Sequence, residues 1–173
     1  NAASEMTAGI TVQATTGALP NGKKEVSCII VESGTPGFTA RAMKNKMTWR
    51  SSNTAELYFQ DVSVPEENLL GKRGDGFKQM MQTLDSGRLS IAAMGLGGAQ
   101  GAYEEALKYS QERQAFGKPI ASFQVNAFKL ADCAMEIEAA RNLLYKACWL
   151  RDQNRPFAKE AAMAKLYTSE VFH

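Results

Sequence analysis

Residues 76–112 read GFKQMMQTLDSGRLSIAAMGLGGAQGAYEEALKYSQE. Within them Phe77, Met80, Met81, Leu84, Leu89, Ala92 and Ala93 recur roughly every three to four residues, and Leu96, Tyr103, Ala106, Leu107 and Tyr109 carry the pattern on. That period marks one face of an α-helix, so the stretch predicts a single helix over 76–112, about ten turns long. Gly117 and Pro119 break it. A second helix is expected from about Phe123 to Gln153, on the apolar set Phe128, Leu130, Ala131, Ala134, Ile137, Ala140, Leu144, Ala147 and Trp149. Pro156 sits where a third can begin. Ala161, Ala162, Ala164, Leu166 and Tyr167 then run toward the last residue. Long helices joined by short turns pack antiparallel, as in a bundle.

Before residue 70 the pattern is different. Short β-type runs alternate with turn signals: Gly9–Thr16, Val26–Val31, Phe38–Met43 and Ala55–Val64, the last ended by Pro65. Asn21-Gly22 is a strong hairpin signal. Gly34–Gly37, stiffened by Pro36, marks another turn. Four strands with no helical period between them predict an antiparallel sheet or part of a barrel. The expected fold class is α+β, with the antiparallel β portion over 1–70 and the up-down helical bundle over 71–173.

Composition narrows the function. The chain has 173 residues, 45% hydrophobic and 22% charged, with a net charge of +2. Those proportions belong to a folded protein with a core to bury. The charge is too mild to argue for nucleic acid, and no apolar run is long enough to span a membrane. Cys28, Cys133 and Cys148 are odd in number and lack paired spacing, so reduced, buried thiols in a reducing compartment are expected in place of disulfides or a zinc site. His173 is the only histidine, which removes Ser–His and Cys–His catalytic pairs and multi-histidine metal sites.

Several motifs have both a structural and a functional reading. Gly95-Leu96-Gly97-Gly98-Ala99-Gln100-Gly101 has Gln100 where a dinucleotide fingerprint needs glycine, and it lies inside a helical pattern. Close approach of another helix is the expected role. Asp85 and Arg88 share a helix face and read as a surface ion pair. Arg113 either complements a negative helix C-terminus or holds a phosphate. With Phe116 and Gln124 around one tight turn it could clamp a nucleotide. Ser51, Ser52 and Thr54 read as a loop capping its own backbone. Met80, Met81, Met94, Met135 and Met163 read as core filler.

Taken together, these stretches resemble the acyl-CoA dehydrogenase family, most of all its short-chain, butyryl-CoA branch. Residues 35–71, TPGFTARAMKNKMTWRSSNTAELYFQDVSVPEENLLG, resemble the end of the family's middle β-domain. Residues 74–124 resemble the first long helix of the C-terminal domain and its turn, and 128–147 and 159–173 the next two helices. The combination of LDSGR, RQAFGKPI and FQ, in that order, is specific to the family.

The resemblance implies a chemistry. The family oxidises acyl-CoA to trans-2-enoyl-CoA with FAD: a glutamate removes the α-proton and the β-hydride passes to the flavin. Electrons leave to an electron-transferring flavoprotein, and the enzymes are usually homotetramers of the bacterial cytoplasm or mitochondrial matrix. Carried over, Asp85, Ser86, Gly87 and Arg88 match the segment that contacts acyl-CoA. Arg113 matches the arginine on the FAD pyrophosphate of the neighbouring subunit, Ala115 and Phe116 follow in its loop, and Phe123 and Gln124 match the adenine side. No catalytic residue is assigned. Some branches place the glutamate where this chain has Gly87, and the short-chain branch places it beyond His173. The third helix stops mid-pattern and the first residue starts mid-sequence, so both ends read as cut from a longer protein, and without the glutamate the 173 residues alone are expected to be inactive. Two further readings keep the fold: a non-catalytic binding or assembly module, and a flavin oxidase or monooxygenase.

Overall fold

The computed structural model describes residues 2 and 6–173. The chain divides into two compact units, Asn1–Met81 and Gln82–His173.

In the first unit, β1 (Gly9–Ala18) and β2 (Lys24–Glu32) form an antiparallel hairpin. Their Val, Ile and Thr content suits a pleated surface. At the tip Gly22, with φ 77°, donates to the Leu19 carbonyl at 2.9 Å, as the Asn-Gly signal requires. The register runs from Gly9 opposite Glu32 to Ala18 opposite Lys24 and slips between Thr15 and Gly17. The bulge frees Thr16, whose hydroxyl donates to Glu25 at 2.9 Å and lies 2.8 Å from that of the buried Ser27.

Residues 71–76 are strapped to this hairpin. Arg73 Nε donates to Glu25 Oε1 at 2.6 Å, its guanidinium also reaches the Thr16 carbonyl, and the Gly74 N–H donates to Ser27 Oγ at 2.9 Å. At Gly76 a Cβ would lie 2.7 Å from the Ser27 backbone, so only glycine permits this approach.

The remaining strands, β3 (Phe38–Ala42) and β4 (Ala55–Phe59), pair with Phe38 opposite Phe59, and those rings stack at 5.1 Å. Among the described residues the four strands therefore pair as two separate antiparallel ribbons and not as one sheet. β4 stops at Phe59, short of Val64, because Gln60 makes the last bond to the Gly37 carbonyl and Asp61 turns the chain at φ 50°.

The second unit is helical. It takes in most of α1 (Gly76–Glu112), α2 (Gln124–Asp152) and α3 (Ala158–Phe172). Its core is a single cluster: Leu89, Ala92, Leu96 and Ala99 from α1, Ile137, Ala140, Leu144 and Ala147 from α2, Ala161 and Ala164 from α3. On α1 and α2 the spacing alternates three and four residues, as a packing seam requires. Five of the ten are alanines with no exposed surface, so the helices approach closely.

Gly95 and Gly98 extend that approach. A Cβ at Gly95 would meet the Thr168 carbonyl oxygen at 3.0 Å, and one at Gly98 would meet the Phe172 ring at 2.6 Å. The glycine-rich run is a helix-packing surface. Gln100, within it, accepts from Arg141 Nη2 of α2 at 2.7 Å and donates to Glu104 at 2.6 Å.

The core does not use every apolar position. Met94, Met135 and Met163 are exposed because they fall off the seam that buries their neighbours, and Met81 is exposed because it lies ahead of Leu89, the first α1 residue of that seam. The expectation that they fill the core is corrected. Cys28 is buried, but Cys133 is exposed, and all three cysteines are free.

Two outcomes follow from this packing. Gly97 has nothing within 4 Å of a Cβ, whereas Gly95 faces backbone. Denaturant unfolding should show Gly97→Ala stabilised by about 0.5–1 kcal/mol and Gly95→Ala destabilised by about 1–3 kcal/mol. In the strap, the hydrogen bond from Arg73, then that from Thr16, holds the Glu25 carboxyl below its ordinary value of 4.5. Its contribution to stability is complete above that value and lost as the pH falls through the lower folded one. Glu25→Gln should reduce the loss of stability on acidification below pH 4.5, read by hydrogen exchange at residues 71–76.

Candidate functional site

Arg113 lies one residue beyond α1, its N–H still bonded to the Tyr109 carbonyl at 2.8 Å. The chain then folds into a miniature ribbon, β5 (Gln114–Ala115) against β6 (Lys118–Pro119). The Ile120 N–H donates to the Arg113 carbonyl at 2.9 Å and closes its base. Its two-residue tip, Phe116-Gly117, has φ 50° and 78°. Two positive values are what a tight hairpin tip demands, but an aromatic residue rarely occupies the left-handed region.

The strained tip presents Phe116 to solvent, 97% exposed. Its ring stands edge-on to Phe123 at 6.1 Å, and Lys118 Nζ sits 4.5 Å above the Phe123 ring. A 3-10 turn at Ile120–Ser122 leads into α2, where Gln124 is exposed. Arg113 is exposed and takes part in none of the ion pairs among the described residues. One turn thus gathers Arg113, Ala115, Phe116, Phe123 and Gln124: a cation, two aromatic rings and an amide.

The second expected cluster lies on α1. Arg88 is ion-paired with Asp85, Ser86 is half-buried and Gly87 is exposed. Leu84 and Ile91, 45% and 43% exposed, flank Arg88 at spacings of four and three, on its side of the helix. The sequence period groups Leu84 with the core set and passes over Ile91, because α1 carries two apolar stripes and a single period does not separate them. Nothing short of the packing separates them.

The two clusters are far apart. From Arg88 to Arg113 the helix rises about 37 Å, so a single chain does not bring them to one small ligand. Among the described residues no group of three or more His, Cys, Asp or Glu side chains could hold a metal, and no helix is long and apolar enough to cross a membrane.

Comparison with known proteins places this architecture in a family. Residues 74–173 match the family model described as "Acyl-CoA dehydrogenase, C-terminal domain". The chain belongs to the acyl-CoA dehydrogenase family. It is 53% identical over 94% of its length to a probable acyl-CoA dehydrogenase of Bacillus subtilis, and 50% identical over 87% to a short-chain specific acyl-CoA dehydrogenase of Megasphaera elsdenii. The solved structure of butyryl-CoA dehydrogenase from Megasphaera elsdenii superposes with a TM-score of 0.86 at 48% identity, covering 93% of this chain and 42% of that one. The chain spans 43% and 39% of those two curated relatives.

The two stripes of α1 make opposite predictions. Leu89→Ala, in the buried seam, should cost about 2–5 kcal/mol. Ile91→Ser should stay within about 0.5 kcal/mol of the parent chain. Thermal or urea unfolding of the two variants checks the assignment.

Proposed function

We propose that this chain serves an FAD-dependent acyl-CoA dehydrogenase acting on short-chain acyl-CoA, with the Arg113–Gln124 turn holding the cofactor. The observation that carries the reading is the turn itself. Its donor set suits a dinucleotide: an unpaired guanidinium for the pyrophosphate, and the Phe123 ring and Gln124 amide for the adenine side. A guanidinium–phosphate contact is charge-assisted and worth about 1.5–3 kcal/mol. Phe116, already turned outward by its tip, needs no rearrangement to meet a planar ring.

Asp85, Ser86, Gly87 and Arg88 are proposed to contact the acyl-CoA. Arg88, steadied by Asp85, offers a cation to the polar thioester end, and Leu84 and Ile91 offer apolar surface to a short acyl chain. FAD, when bound, supplies the acceptor for the β-hydride. The chain's own residues bind and orient. Gly87 has no side chain to take the α-proton, and Asp85 is engaged with Arg88, so the general base is not drawn from this stretch of α1.

The separation of about 37 Å between the clusters favours a homo-oligomer, in which Arg113 of one subunit and Asp85–Arg88 of another serve one active site. A homotetramer is the expected form, with an electron-transferring flavoprotein as the oxidant. Three free cysteines, one of them exposed, suit a reducing compartment.

The test is a titration of the chain with FAD, followed by flavin fluorescence. Arg113→Gln should weaken binding about tenfold to a hundredfold. Equal affinity in both proteins would remove the cofactor role of the turn.

A further inference from the structure

Residues 33–55 contain four cationic side chains, Arg41, Lys44, Lys46 and Arg50, and no aspartate or glutamate. All four lie at or beside the tip of the β3–β4 hairpin. None takes part in the ion pairs among the described residues. The tip is concave. Met43, Lys44, Asn45, Lys46 and Arg50 line one cavity, which therefore has three cations, an amide and no carboxylate. A second cavity opens beside it on Arg41, Lys44 and Glu56; there the Glu56 carboxylate, opposite Arg41 in the register and accepting from the Tyr58 hydroxyl at 2.9 Å, keeps its negative charge, so the uncompensated cations are those of the first cavity.

Two of the cations are held in advance. The Lys46 ammonium donates to the Ser52 carbonyl at 2.5 Å and to Thr54 Oγ1 at 3.0 Å. Arg50 Nε donates to the Lys46 carbonyl at 3.1 Å, which leaves its two terminal nitrogens as a fork. These acceptors are neutral, so the positive charge stays uncompensated while the side chains are already ordered. A ligand meeting them is spared much of the entropic cost of fixing long side chains. Asn45 and Trp49 hold the loop at φ 58° and 55°. Strained backbone of this kind gathers at binding sites.

We propose that the β3–β4 tip binds a phosphoryl group between Lys44, Lys46 and Arg50. A phosphoryl group brings three acceptor oxygens and between one and two negative charges. That matches three converging cations better than a carboxylate, with two oxygens and one charge. Trp49, 60% exposed, and Met47, 92% exposed, offer apolar surface beside the cavity for whatever the phosphoryl group is attached to. The site shares no residue with the Arg113 turn or the Asp85–Arg88 segment.

The chemistry is common to soluble phosphate esters and to lipid headgroups, and the experiment separates them. The nitrogen-15-labelled chain is titrated in chloride buffer with inorganic pyrophosphate, and is sedimented in parallel with phosphatidylcholine vesicles with and without phosphatidic acid. Saturable amide shifts confined to residues 43–54 with pyrophosphate, and no co-sedimentation, assign a soluble ligand. Co-sedimentation that requires phosphatidic acid assigns a headgroup. In either case Lys44→Gln, which breaks no hydrogen bond of the loop among the described residues, should weaken binding about tenfold or more. Arg50→Gln should do the same, with amide positions outside the loop unchanged as the check that it folds. Absence of any response at 43–54 to both probes, or binding that Lys44→Gln and Arg50→Gln leave unaltered, overturns the proposal.

Discussion

The helical unit depends on one constraint: three helices must come close enough to bury a seam made largely of alanine. Ala92, Ala140, Ala147, Ala161 and Ala164 have no exposed surface, and the larger Leu89, Leu96, Ile137 and Leu144 interlock around them. Dispersion and hydrophobic burial both fall away steeply with separation, so small side chains in the seam are useful only if backbones nearly touch. Gly95 and Gly98 extend that contact toward α3, and Thr168 satisfies its buried hydroxyl on the Ala164 carbonyl at 2.8 Å. A narrow seam also leaves most of each helix surface free. That is why one helix can bear a packing stripe on one side and Leu84, Arg88 and Ile91 on another.

The β unit solves a different problem. A lone two-stranded ribbon is marginal in water, and here β1–β2 is reinforced by the strap that precedes α1. The bulge at Thr16 is the key irregularity. By shifting register before Glu25 it sets Thr16, Glu25 and Ser27 where Arg73 and Gly74 reach them. An ion pair alone at this exposure contributes little. Its partner bonds to a backbone carbonyl and to a fully buried serine make it a clasp.

The Arg113 turn was legible in the chain to an unusual degree, and for a physical reason. Arg113, Ala115, Phe116, Phe123 and Gln124 lie within a dozen residues, and a helix end followed by Gly117 and Pro119 confines them to one turn. Local sequence thus implies local geometry. Three features were not legible. The β5–β6 ribbon is too short for a periodic signal. The exposed stripe beside Arg88 was hidden because its period matches that of the core. The hairpin at 38–59 offered its hydroxyls to the eye, whereas the fold holds Lys46 on the Ser52 backbone carbonyl and the Thr54 hydroxyl.

By itself the sequence determined which segments are helices, where the first hairpin turns, the family to which the chain belongs and the membership of the Arg113 turn. Those follow from periodicity, glycine and proline placement and contiguous motifs, all local properties. Only the tertiary structure decided which apolar stripe of α1 is buried, that the strands form two ribbons and not one sheet, that Met81, Met94, Met135 and Met163 face outward, and that Cys133 does too. Each of these depends on which surfaces lie against one another, and no single segment encodes that: burial is a property of pairs of elements, and a helix carries no mark of which side will meet its neighbour until the neighbour is in place.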